Sequence, residues 1–195
     1  MRIQAVCIAL CAMAPVAASA DGNRLDLHYT PIATFGDDEV AAKGDGFGAR
    51  LHVESGPLLV NFEYSTADYS VFDDSVDQLR AGVGMAIGDA ASIHAEYLKW
   101  DIFGTDTDGF GAHVQLGRVD RMGAGGYLRL GYLRLEADDP ASSKIDGFEY
   151  AVGASVPLGT VRGLLEFRSS RLEDESGFEF FLEDLHLGVT VPFGS

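Results

Sequence analysis

The sequence predicts an all-β protein, an antiparallel up-and-down transmembrane β-barrel of about ten strands, with eight strands as the alternative. Three observations carry that prediction: hydrophobicity with a period of two along almost every ordered-looking segment, turns that alternate short and long, and a leader fit for export.

The leader comes first in the chain. Arg2 supplies a positive start, residues 3–16 are mostly apolar, and Ala18-Ser19-Ala20 gives a small-x-small cleavage pattern before Asp21. The apolar run is too short for a membrane-spanning helix, which needs about 20 such residues. A lipoprotein reading fails because Leu10 precedes Cys11 and Ile8 follows Cys7. The expected organisation is a signal peptide over 1–20 and one barrel domain over 21–195. Both cysteines lie in the leader, so neither disulfides nor thiolate metal sites are expected in the barrel.

Composition narrows the class. A formal net charge of −16 opposes binding to phosphate backbones, so no nucleic-acid partner is expected. An apolar content of 47% with 10% aromatic residues is too high for a disordered acidic chain.

The strands follow from alternation. Phe47, Ala49, Leu51 and Val53 share a face opposite Gly48, Arg50 and His52. Leu58, Val60, Phe62 and Tyr64 oppose Asn61 and Glu63; Leu79, Ala81, Val83 and Met85 oppose Arg80, Gly82 and Gly84. Successive strand residues point to opposite faces, so each segment has one apolar and one polar side. Ten segments qualify: 24–34, 46–55, 58–67, 77–87, 92–100, 109–118, 126–136, 147–158, 161–171 and 182–193. In 126–136 the phase changes near Gly131, because Leu133 and Leu135 leave the face of Leu128, Leu130 and Tyr132; a β-bulge there is expected. Segment 161–171 carries Leu164 on its polar side.

Short turns fall at Gly56-Pro57, at 88–91, at 120–125 and at 158–160, and long acidic connections at 35–45, 68–76, 101–108, 137–146 and 172–181. With strands running up and down, all short turns meet at one end and all long loops at the other, as in outer-membrane barrels. An even strand number then places both termini at the turn end.

A soluble barrel would carry its apolar face inside. Here the polar face holds glycines and mixed charges suited to a crowded interior, and the apolar face has few cations, so lipid is expected outside. Phe47, Phe62, Tyr64, Tyr97, Phe110 and Phe148 form the expected aromatic girdle at the loop end, with Tyr127 and Phe193 near the other end. Inside, Arg50, Glu63, Arg80, Glu96, Glu149, Glu166 and Arg168 form an expected lumenal charge network, since buried charges persist only when paired. Acids exceed bases in that set, which gives its functional variant, a small cation-preferring pore.

The segment Asp45-Gly46-Phe47-Gly48-Ala49 returns as Asp108-Gly109-Phe110-Gly111-Ala112, and in part as Asp146-Gly147-Phe148. No helix follows these glycines, so they are not phosphate loops. With the leader, the segment 76–84 and the alternating final strand, these entries resemble the OmpA- and OmpX-like outer-membrane barrels, and more closely the small xanthomonad barrels discussed as activators of plant immunity. That resemblance implies a bacterial outer-membrane location and engagement of the barrel-assembly machinery. Members usually end in an aromatic residue, whereas Phe193 here is followed by Gly194-Ser195.

No catalytic residues, metal site or cofactor are expected: His28, His52, His94, His113 and His186 all lie within strands, away from the loop rim where a barrel hydrolase needs them. The acidic loops read as solvated surface, with divalent-cation bridging to lipopolysaccharide as the sharper alternative. The expected function is structural or surface-interacting, in envelope integrity, adhesion or host recognition. Its expected partners are the outer membrane with its lipopolysaccharide and a partner at the cell surface. A small-solute channel and a soluble periplasmic binding barrel are the alternatives.

Overall fold

Ten antiparallel strands close on one another in the computed structural model, which describes residues 22–37, 39–118, 124–137 and 144–194. They are β1 (Arg24–Gly36), β2 (Ala41–Ser55), β3 (Leu58–Tyr69), β4 (Asp74–Ile87), β5 (Ala91–Ile102), β6 (Thr105–Arg118), β7 (Gly125–Ala137), β8 (Lys144–Leu158), β9 (Val161–Asp174) and β10 (Glu179–Pro192). Each pairs with its sequence neighbours, and β1 pairs with β10 to close the barrel. Closure leaves no unpaired edge, which a sheet needs if it is to sit in hydrocarbon. The leader and its cleavage site lie outside the described residues.

At the turn end the strand limits agree with the sequence reading. At the other end every strand runs further than expected, and the long loops shrink to 37–40, 70–73, 103–104 and 175–178. The expected difference in loop length is therefore mostly a difference in strand protrusion. Membrane crossing takes about 9–11 residues per tilted strand, whereas these strands have 12 to 15. The surplus stands above the bilayer.

That surplus obeys an inverted code. In β7, Leu128, Leu130 and Tyr132 point outward and Arg129 inward; further along, Arg134 and Glu136 point outward while Leu133 and Leu135 are enclosed. The expected bulge at Gly131 is absent, because the β6–β7 register runs without a break. The strand keeps its phase, and the solvent changes instead. Where lipid surrounds the barrel, apolar side chains face out; where water does, they face in.

The one register shift involving β1 falls between Tyr29 and Ile32 toward β10 and between Thr30 and Ala33 toward β2. Pro31 lies inside that interval, and a proline has no N–H to give to a ladder, so pairing slips around it.

The repeated Asp-Gly-Phe entries have a common geometric cause. A Cβ on Gly46, Gly109 or Gly147 would come within 1.9, 1.9 and 2.0 Å of the carbonyl oxygens of Thr66, Arg134 and Arg171 on the following strand. These glycines let β3, β7 and β9 approach closely where the sheet bends.

Candidate functional site: a charged lumen beneath an apolar plug

The interior has three layers. At the turn end, Asp26 accepts from Thr190 Oγ1 at 2.6 Å and lies 3.8 Å from Arg24, while Arg162 donates to Ser155 at 2.9 Å. Cavities of about 40 and 20 Å³ remain here, the first beside Ser92, His94 and His52.

The middle layer contains the charges. Arg50 donates from Nε to Glu63 at 2.8 Å, and its two terminal nitrogens grip Glu166 at 2.8 and 2.7 Å. Arg168 bridges Glu63 at 2.9 Å and Glu166 at 3.0 Å. Glu166 also accepts from the Tyr127 hydroxyl and faces His186 Nδ1 at 3.1 Å. A second centre forms on Glu149, which is held bidentately by Arg80, by Arg129, and by Ser170 Oγ at 3.1 Å. Glu96 joins it through Arg80 at 3.6 Å and accepts from Asn61 Nδ2 at 2.7 Å. All seven residues of the expected network thus meet in the lumen.

Three members were missing from the expected set. Arg129 brings a fourth arginine to the four glutamates, and Asp184, buried opposite Arg168, leaves the acids one ahead, a smaller excess relative to the bases than the expected set had. Tyr127, expected in the outer girdle, points inward and is buried. Its neighbours Leu128 and Leu130 take the outward face, and a buried hydroxyl needs an acceptor, which Glu166 provides. Four of the five histidines lie in or beside this layer as two stacked pairs, His28 on His186 with centroids 4.2 Å apart and His94 on His113 at 4.5 Å, while His52 lies at the turn end with Nε2 3.6 Å from Asp26. Ser92 Oγ and His94 Nε2 are 2.8 Å apart, but His94 Nδ1 has no hydrogen-bond partner, so no acid orients this pair for nucleophilic chemistry. Among the described residues, no group of three or more potential ligands is placed to hold a metal ion.

Above lies the plug. Leu98, Trp100, Leu133, Leu135, Leu172 and Leu182 fill the lumen, with Leu98, Trp100 and Leu135 at 0% exposure. Arg80 meets it from below, its guanidinium 5.4 Å from the Trp100 ring centroid. Phe35 caps it, packing on Phe103 at 4.8 Å and Phe180 at 5.8 Å, and Phe103 in turn packs on Phe72 at 4.6 Å. Sequence reasoning missed the plug because one outward code was assumed along each whole strand, which gave Leu98, Trp100, Leu133 and Leu135 no apolar interior to fill, and because Leu172 fell in an expected loop.

Outside, Phe47, Phe110 and Phe148 are 62%, 70% and 70% exposed, in a band with Tyr97. Phe62 and Tyr64 lie on the same outward face, half-buried, and Phe193 follows β10 with its N–H bonded to the Asn23 carbonyl at 3.0 Å. Each phenylalanine of the repeat faces a tyrosine of the preceding strand: Tyr29 opposite Phe47, Tyr97 opposite Phe110, Tyr132 opposite Phe148. Each tyrosine hydroxyl donates to the repeat's aspartate, Asp45, Asp108 or Asp146. The aspartates mark where the outward code changes from apolar to charged.

An apolar belt around a charged lumen excludes a soluble, lipocalin-like arrangement, whose exterior is polar. No family model and no curated protein matches the chain. Among solved structures, Neisserial surface protein A matches over 89% of this chain and 98% of its own, at 15% identity and a TM-score of 0.50. The chain is an outer-membrane β-barrel by fold. Ail, the attachment invasion locus protein of Yersinia pestis, covers 88% of this chain and 99% of its own, at 14% identity and a TM-score of 0.35. The translocator domain of the autotransporter NalP from Neisseria meningitidis covers 98% and 96%, at 12% identity and 0.37. These last two likenesses are too distant to carry an argument.

Proposed function

We propose that this barrel is a non-enzymatic, non-conducting protein of the bacterial outer membrane, with its loop end outward and a role in surface interaction. The observation that carries this reading is the plug: a lumen closed by leucines and Trp100 offers no aqueous path, while the charges beneath it are consumed in pairs. Hydrophobic filling of that kind suits a rigid scaffold better than a pore.

The scaffold holds up a platform. Val40, Val71, Phe72 and Phe178 are exposed at three hairpin tips, amid Asp37, Glu39, Asp73 and Glu175. The tips are ordered by their own hydrogen bonds. Asp37 accepts from the backbone N–H groups of Glu39 and Val40 at 2.8 and 2.7 Å, which holds its carboxyl below the usual carboxylate range. Asp174 accepts from Ser176 and Phe178 with the same effect. Exposed apolar groups on such a platform favour adhesion or host recognition over a purely mechanical role in the envelope. The finer likeness to xanthomonad immunity-activating barrels rests on the sequence segments alone.

Planar-bilayer recording tests the reading. The refolded protein is expected to give no discrete conductance steps; reproducible steps with cation preference would replace it with the channel alternative.

A further inference from the structure

The mouth of the barrel is roofed by rings from four hairpins. Phe35, at the end of β1, packs on Phe72 of the β3–β4 tip at 6.3 Å and on Phe103 of the β5–β6 tip at 4.8 Å. On its other side lies Phe180 of β10 at 5.8 Å, and Phe178 stacks on Phe180 at 6.3 Å. The two ends of this roof are uncovered. Phe72 and Phe178 are 45% and 50% exposed, and Val40 and Val71 on the tips are more exposed still. Val40 lies five residues beyond the girdle aspartate Asp45, which lifts it about 12 Å clear of the belt. The roof therefore faces water, not lipid.

The charge around the roof has one sign. The described residues of its four tips, 37–40, 70–74, 101–105 and 174–179, include many carboxylates and no lysine, arginine or histidine. Lys99, Lys144 and Arg171, on the wall around them, already stand 3.8, 3.5 and 3.4 Å from Asp106, Glu175 and Glu183. Some tip acids are engaged as well: Asp37, Asp101 and Asp174 accept from backbone N–H groups of their own turns. Glu39, Asp73 and Glu179 remain exposed beside the rings.

An apolar roof fenced by carboxylates selects its occupant by charge. Nucleic acids, anionic glycans and lipid phosphates carry the wrong sign, and a second copy of the barrel would bring the same charge to meet itself. A bare metal cation satisfies the fence but leaves the rings in water. A chain with lysine or arginine next to an apolar side chain fits both. Its cations meet the carboxylates and the ring faces, and its apolar group covers Phe72 or Phe178. From Phe72 through Phe35 and Phe180 to Phe178 the rings form one track, which about five extended residues would follow. Resting on the surface-interaction reading above, with the loop end outward, we infer that this roof is the docking surface for a basic, apolar segment of a partner polypeptide.

Fluorescence anisotropy of labelled peptides with the full barrel in phosphatidylcholine nanodiscs tests the surface, with empty nanodiscs as the blank. Three short Gly/Ser peptides serve as probes: one carries lysines and phenylalanines, one lysines alone, and one glutamates and phenylalanines. The lysine–phenylalanine peptide is expected to bind about tenfold more tightly than the lysine peptide, and the glutamate–phenylalanine peptide not at all. Phe178→Ser, or Val71→Ser should the first not fold, is expected to cut that preference to about twofold. Glu39→Gln with Asp73→Asn and Glu179→Gln is expected to weaken both lysine peptides about tenfold and to flatten their salt dependence. Asp89→Asn, at the turn end, is expected to change neither. Heat-modifiable gel migration confirms that each variant is folded. Equal binding of the acidic and basic peptides, equal binding of the two lysine peptides, or binding that survives both sets of substitutions would each overturn the inference. So would self-association of the barrel that Phe178→Ser abolishes, since the occupant would then be a second copy. Labelling of Ser70→Cys on intact cells with an impermeant maleimide is read separately. No labelling defeats the outward loop end and the inference with it, whereas a labelled barrel that ignores the lysine–phenylalanine peptide defeats the inference alone.

Discussion

Glu149→Ala is expected to destabilise the folded barrel by about 3–5 kcal/mol, the usual cost of leaving buried charge without its partner. Glu149 is the common acceptor of Arg80, Arg129 and Ser170, and all of these are buried in the lumen. Removing it strands two guanidinium groups between an apolar plug above and a sealed wall around them. Glu96 compensates only in part, since it stands 3.6 Å from Arg80 and 4.0 Å from Arg129. Reversible urea unfolding in lipid vesicles gives the measurement. A double variant, Arg80→Met with Glu149→Met, should cost clearly less than the sum of its singles, because it removes charge and countercharge together. A loss below about 1 kcal/mol for Glu149→Ala would mean that water reaches the layer and screens it, as for exposed ion pairs.

Gly109→Ala is expected to cost about 3 kcal/mol or more, although it adds a single methyl group. That methyl carbon would stand 1.9 Å from the Arg134 carbonyl oxygen, which is backbone and cannot rotate away. Either β6 and β7 separate or the barrel fails to close. Gly126→Ala is the matched control, since its nearest neighbour is a carbonyl at 3.4 Å and its φ is not positive. The control should fold and migrate as the parent does, while Gly109→Ala should lose heat-modifiable migration or unfold at markedly lower urea. Equal behaviour of the two would remove the packing explanation for the Asp-Gly-Phe repeat.

The turn-end strand limits were legible because Gly56-Pro57 and Gly88-Asp89 are unambiguous punctuation. The loop-end limits were not. Acids such as Asp45, Asp106, Asp108 and Glu173 look like solvated loop, yet they are the outward half of paired strands whose inward half is Ala42, Thr107 and Leu172. The apparent phase change at Gly131 had the same origin. Leu133 and Leu135 appeared to join the wrong face only because one solvent was assumed along the whole strand.

The charge layer divides similarly. Its members could be found by strand phase, and the same phase applied to β7 would have included Arg129 and turned Tyr127 inward. Assigning Tyr127 by the chemistry of its ring rather than by its alternation caused the error. Pairings such as Arg50 with Glu166, 116 residues apart, arise from closure and curvature of the barrel, which no local pattern encodes.

The central claim is that each strand keeps its phase while the outward code inverts at the aromatic girdle. A nitroxide scan of β7 in lipid vesicles tests it directly, since Cys7 and Cys11 both precede the expected cleavage site and leave no background thiol. Labels at Leu128 and Leu130 should be relaxed by oxygen and labels at Arg134 and Glu136 by a water-soluble nickel chelate. Labels at Leu133 and Leu135 should be shielded from both. Oxygen reaching Leu133 and Leu135 as freely as Leu130 would show that β7 slips its phase at Gly131, and would contradict the inverted code and the plug together.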